Sequence, residues 1–105
     1  MGRYGRSMLT ADDVTSVQFS TGGLFRLGYA DTEVDDWLDQ VASTLRAYEG
    51  TEGGTVELLA EDAREVQFTT ARLSGSYSME DVDTTIDQIV ATLEAHERAA
   101  GIPHS

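Results

Sequence analysis

The chain has 105 residues, 40% apolar and 25% charged, which allows one compact domain with a modest core, or two modules too small to stand alone, and argues against wholesale disorder. Nineteen acids against seven bases, all of them arginine, give a net charge of -12, a poor start for holding nucleic acid or an acidic membrane. Cysteine is absent, which excludes a disulfide framework, thiolate chemistry and cysteine-based zinc sites. No apolar run reaches the roughly 18 residues of a membrane span and no secretory signal is evident, so a cytoplasmic protein is expected.

Residues 1–8 carry no periodic signal and read as a weakly ordered N-terminus. A short helix starts at Leu9-Thr10-Ala11-Asp12-Asp13, with Thr10 as N-cap and Asp13 three residues on, an acidic variant of the capping box. A loop containing Leu24, Phe25 and Arg26 leads to the turn Gly28-Tyr29, where the phenol ring reads as a packing plug. A long helix follows. Val34, Leu38, Val41, Leu45 and Tyr48 are spaced 4, 3, 4, 3, the apolar seam of a short coiled coil, and Trp37 flanks it as core or interface packing. The stretch "EGTEGGT" (49–55) then marks a flexible linker, assigned to residues 50–57.

The chain now repeats itself. "LTADDVTSVQFSTGGLF" (9–25) matches "LLAEDAREVQFTTARLS" (58–74) at an offset of 49, and the later parts match at 48. Identities include Ala11/Ala60, Asp13/Asp62, Val17/Val66, Phe19/Phe68, Thr21/Thr70, Tyr29/Tyr77, Asp35/Asp83, Thr44/Thr92 and Glu49/Glu97. Leu59 stands where Thr10 caps the first copy and cannot cap, so that end is expected to fray more. Val82, Ile86, Ile89, Leu93 and His96 repeat the seam. The organisation predicted is a first module over 9–49, the linker, a second module over 58–100 and a tail over 101–105.

The fold class predicted is all-α: two tandem helix–loop–helix modules whose long helices pack as a short coiled coil or bundle. Each seam is about two heptads long, too brief to be stable alone. A parallel pairing within one chain requires the linker to return about 27 Å along an 18-residue helix. Eight linker residues reach about 29 Å at most. Such a pairing is feasible but taut, so a homodimer is expected in preference, with an antiparallel hairpin as the other relief.

The string Gly28-Tyr29-x-x-x-Glu33-Val34-Asp35-x-Trp37-Leu38-x-x-Val41, preceded by Leu9-Thr10-Ala11-x-Asp13-Val14 and Phe19, resembles the N-terminal domain of the DivIVA family of bacterial cell-division and polar-growth proteins. The second copy matches more loosely, through Ala60-x-Asp62, Phe68, Tyr77, Asp81-Val82-Asp83 and Ile86-x-x-Ile89. The resemblance implies a parallel dimeric coiled coil with crossing loops that expose an apolar residue beside a basic one and touch the inner membrane face. Leu24, Phe25 and Arg26 are then the membrane-contact candidates, since Arg72-Leu73-Ser74 in the second copy has no aromatic. Two departures are visible. The filament building of family members with a long polymerising coiled coil is not expected here, and Ala30 occupies the position of the family's capping Asp, leaving the cap to Asp31 in the first copy and to Ser78 with Asp81 in the second.

The other reading of Phe25-Arg26 is a Phe tucked into its own module beside a solvated Arg. Asp31-x-Glu33-x-Asp35 imitates the start of a calcium loop, but Asp36 stands where that loop needs Gly and Ala42 where it needs Glu. His96 and His104 lack a Cys, a Ser elbow or a second His at ligand spacing, and Gly22-Gly23 is too little for a phosphate loop. The expectation is a protein with no enzymatic activity, metal or cofactor: a DivIVA-like scaffold recruiting division or growth proteins, peripheral on the cytoplasmic membrane face. The alternative is a soluble acidic adaptor that docks a basic protein without membrane contact.

Overall fold

The computed structural model describes residues 9–21, 27–72 and 75–101. In chain order these form α1 (Ala11–Ser16), β1 (Gly28–Tyr29), α2 (Asp31–Glu49), α3 (Ala60–Arg64), β2 (Thr70–Ala71), β3 (Tyr77–Ser78) and α4 (Met79–Ala99). The proposed membrane-contact residues Leu24, Phe25 and Arg26, the N-terminal residues 1–8 and most of the tail lie outside the described residues.

The all-α prediction is overturned. The fold is mixed, with a three-stranded antiparallel sheet in the order β2-β1-β3 and four helices among the described residues. Gly28 pairs with Ala71 and Tyr29 with Thr70 on one side of β1, while Gly28 pairs with Ser78 and Tyr29 with Tyr77 on the other. Thr21 then bridges to the far side of Tyr77. Every one of these pairings joins one copy of the repeat to the other. Thr21 and Thr70 are repeat equivalents, as are Tyr29 and Tyr77, so the sheet has a local two-fold axis between the two tyrosines. Strands of two residues are too short to show alternation, which is why the helical periodicity obscured them. The signal that did exist lies just upstream. Val17 and Phe19, like Val66 and Phe68, are half-buried with exposed Gln18 and Gln67 between them, the period-2 pattern of extended chain.

The long helices run in the same direction. Tyr29 and Tyr77 reach the fifth residue of the opposite long helix, near its N-terminus, and Tyr48 and His96 in the last turns stack 4.8 Å apart with parallel rings. The coiled-coil seam does not survive in that form. Each long helix packs chiefly along the short helix of its own copy, α1 on α2 and α3 on α4. The buried face of α2 holds Trp37, Ala42 and Thr44 besides Val34, Leu38, Val41 and Leu45, broader than an a/d stripe and fit for a globular core. On α4, Val82, Ile89 and Leu93 are buried in the same core while Ile86 and His96 are half-buried.

The linker is not taut, because it returns only part of the way. Thr55 N–H donates to the Ser43 carbonyl at 3.1 Å, and Glu57 and Leu58 N–H donate to Thr44 Oγ1 at 2.9 and 3.2 Å. From Glu49 back to Ser43 is about 9 Å of helix rise. The short helix α3 and the extended chain to β2 cover the rest of the descent. Gly54 is required in this path, since a β-carbon there would run into the backbone of Arg46 and Ala47.

Capping follows the repeat with one asymmetry. Thr10 Oγ1 accepts from Asp13 N–H at 3.1 Å, and Asp13 accepts from Thr10 N–H at 3.0 Å, closing the expected box. Leu59 has only the second half, donating its N–H to Asp62 at 3.0 Å. Both short helices gain another acceptor from the end of their long helix. Ala11 N–H donates to Glu49 at 2.9 Å and Ala60 N–H to Glu97 at 2.5 Å. Glu97 is buried, so the shorter helix α3 has the drier contact. Thr10→Ala should lower stability by about 1 kcal/mol, while Leu59→Thr, at a position 40% exposed, should raise it by a few tenths to about 1 kcal/mol by completing the second box. Urea unfolding of both variants measures this.

Candidate functional site

The first turns of α2 and α4 meet at the sheet, and there the repeats are tied by matched pairs of polar contacts. Tyr29 donates its hydroxyl to Asp83 at 2.7 Å, and Tyr77 donates to Asp35 at 2.8 Å. Glu33 accepts from Thr69 N–H at 2.8 Å, and Asp81 accepts from Ser20 N–H at 2.9 Å. Glu33 and Asp81 are each the third residue of a long helix, the position from which a capping-box acid reaches back to its own N-cap. Here both reach across to the other copy instead. Ala30, with only a methyl group, has no side-chain cap to offer, Asp31 accepts from Thr32 N–H at 2.8 Å, and Ser78 Oγ accepts from Asp81 N–H at 3.3 Å. The backbone completes the tie, with Ala30 N–H on Thr69 O at 2.9 Å and Ser78 N–H on Ser20 O at 2.7 Å.

Aromatic rings fill the space behind these links. Phe19 lies 5.0 Å from Tyr77 and Phe68 5.5 Å from Tyr29, again as repeat equivalents. Trp37, 7% exposed, meets Phe68 edge-on at 5.7 Å. Such pairs contribute about 0.5–1.5 kcal/mol each beyond area burial.

Burial, the hydrogen bond to Asp83 and that carboxylate's charge push the Tyr29 phenol up to about 12. Burial, then Asp35 as acceptor and as charge, with Asp31 behind it, push Tyr77 up to about 12 as well. Both phenols are therefore neutral donors at physiological pH, and neither is disposed to act as a nucleophile or base. Hydrogen bonds from Thr69 hold the Glu33 carboxyl below its ordinary value. At the opposite end, burial and the Glu97 charge raise Tyr48, whose buried hydroxyl has no hydrogen-bond partner among the described residues.

Parallel helices concentrate charge. Residues 31–39 and 79–87, the first halves of α2 and α4, contain nine carboxylates and no base. All but the half-buried Asp81 belong to exposed residues. Arg46 and Arg98 stand in the last turns at the other end, and Arg64 pairs with Glu94 on the flank. Beside the acidic end runs an open groove of about 400 Å³, lined by Ser20, Thr21, Leu27, Met79, Glu80 and Asp81, with Leu27 45% exposed. Among the described residues, no group of three or more His, Asp or Glu side chains is placed to hold a metal ion, and no helix is long and apolar enough to cross a membrane.

Of the residues singled out in the sequence, Gly28, Tyr29 and Tyr77 come together at the sheet, Trp37 backs onto it, and Tyr48 with His96 closes the far end. Sequence reasoning missed Asp35, Asp83, Glu33 and Asp81 as links between the copies. The identity of Asp35 with Asp83 at the same offset as Tyr29 with Tyr77 was the available signal. Comparison of the chain with protein-family models, curated proteins and solved structures gave no match.

The two phenols have folded-state values above their ordinary 10.0, so their contribution is complete below pH 10 and is lost as pH rises from about 10 towards about 12. Tyr29→Phe and Tyr77→Phe should each cost about 1 kcal/mol at neutral pH, allowing for solvent screening, and should flatten the alkaline limb of a stability profile. Glu33 has the opposite sign: its contribution is present above its unfolded value and fades as pH falls. Glu33→Gln should lower stability at neutral pH, leave it unchanged at the acid end and so flatten the acid limb, read by thermal melts between pH 3 and 7.

Proposed function

We propose that this chain is a non-catalytic interaction protein, and that its working surface is the acidic end at the sheet, which docks a basic segment of a partner protein. The observation that carries the reading is the parallel course of α2 and α4, which brings nine carboxylates to one end of the body without an intervening base. A field of one sign over a compact surface draws an oppositely charged partner and raises its rate of encounter. The groove beside Leu27 and Met79 offers apolar contact next to that charge. The groups at the crossover support no nucleophilic role, since the phenols donate to carboxylates and the carboxylates accept from phenols or backbone.

The resemblance to the DivIVA N-terminal module supplies a setting, the recruitment of division or growth proteins, and a second reading in which Leu24, Phe25 and Arg26 touch an anionic membrane. Thr21 and exposed Leu27 flank that segment in the chain, and Thr21 lies at the sheet end, bridged to Tyr77. The same end carries the carboxylates. Burying one Phe contributes about 1.5–3 kcal/mol and one Arg near an anionic surface about 1 kcal/mol, so repulsion from the acids works directly against both. A homodimer would have to use another face, because the two apolar stripes are already buried, chiefly beneath the short helices of their own copies; sedimentation equilibrium at several concentrations reads its presence.

Binding of a fluorescent arginine-rich peptide is expected, and it should weaken steeply as salt rises from 50 to 500 mM. Replacing the exposed Asp36, Asp39 and Asp87 by Asn should reduce affinity severalfold without changing the melting temperature downwards. Co-sedimentation with anionic vesicles is the counter-test. Vesicle binding lost in Phe25→Ala/Arg26→Ala, together with no peptide binding, would favour the membrane reading over the adaptor.

A further inference from the structure

We infer that Gly28 and Ser76 form a steric key on the local two-fold axis, which makes the second repeat able to pair with a first repeat and unable to pair with another second repeat. The two positions are equivalent in the repeat, each preceding the tyrosine that lies on the axis. They differ in one atom that matters, the β-carbon. A β-carbon built on Gly28 would stand 2.6 Å from the Tyr77 carbonyl oxygen and 2.8 Å from Ser76 Cβ. Carbon atoms in good contact stay about 3.5–4.0 Å apart, and neither obstacle is the movable end of a flexible side chain. Ser76 is 3% exposed, so its side chain has no open space into which to retreat.

The axis therefore accommodates one β-carbon and not two. A first repeat opposite a second gives Gly against Ser, the arrangement observed. Two first repeats would give Gly against Gly, which fits. Two second repeats would set Ser against Ser and drive two β-carbons into one another. The remaining links do not discriminate in this way, because the equivalent groups are chemically alike: Tyr29 with Tyr77, Asp35 with Asp83, Phe19 with Phe68 and Thr44 with Thr92. The glycine supplies the selectivity that the near-identity of the repeats removes. A Gly in extended chain is otherwise a local cost, which makes the close approach its reason for being there.

The test exchanges the key in the full chain. Gly28→Ser should lower the urea midpoint sharply or abolish cooperative unfolding. Ser76→Gly should remain close to the parent. The double variant Gly28→Ser/Ser76→Gly removes the β-carbon contact at 2.8 Å while the approach to the Tyr77 carbonyl oxygen at 2.6 Å remains, so it should recover a measurable part, and not all, of what Gly28→Ser lost. A double variant no more stable than Gly28→Ser would overturn the inference, as would a Gly28→Ser chain as stable as the parent. If the single variant does not fold at all, recovery of a folded double variant still decides the matter, read by near-UV circular dichroism and by a sedimentation mass of one chain.

Discussion

Antiparallel pairing of Tyr29 with Tyr77, backbone to backbone across the local two-fold axis, is the constraint on which the rest of the structure depends. Neither copy can complete its own sheet. The strand partners of β1 are β2 and β3 of the second copy, and Thr21 of the first copy must cross to Tyr77. Once the two tyrosines are opposed, each phenol lies near the N-terminus of the other long helix, and Asp83 and Asp35 are there to accept. The helices must then leave the sheet side by side and in one direction. Their far ends meet again in the stack of Tyr48 on His96.

A second consequence falls on the helix ends. The acid three residues into a helix ordinarily serves its own N-cap. Glu33 and Asp81 serve the other copy's chain, and the N-terminal N–H groups they leave are met unequally, by Asp31 in α2 and by Ser78 in α4. At the opposite end Glu49 and Glu97 hold the first N–H of each short helix, so the terminal turn of a long helix and the opening turn of a short one stabilise each other. Thr44 and Thr92 do similar work between copies, accepting from Leu58 and Leu9 N–H while donating to the carbonyl one turn back. Much of the identity between the repeats is thus accounted for by hydrogen bonds that occur twice.

The same geometry sets the electrostatics. Acids early in a helix are favoured by its dipole, whichever way the helix points. When two such helices run parallel, the local preference becomes a property of the whole molecule, with one strongly negative end. Mutual repulsion among those carboxylates is a cost that surrounding water and the helix N-termini reduce. The proposed docking of a basic segment uses that charge, and the cross-repeat hydrogen bonds hold its members in place.

The duplication, the helix boundaries near Thr10 and Ser78, the apolar stripes and the acidity of the long helices were all legible in the sequence, because each is written in local spacing or composition. Residues 34–48 and 82–96 are helical and their stripes face inward, as the 4, 3, 4, 3 spacing required. What packs against those stripes was not legible. A seam read as coiled coil lies along the short helices instead, since periodicity states which face is apolar and never names its partner. The strands escaped for a related reason: two residues are too few to show a period, and they exist only because a distant copy supplies the other side of each ladder. Parallel pairing without a taut linker, and the single β-carbon allowed between Gly28 and Ser76, were decided only in three dimensions, where residues 48 apart in sequence come into contact.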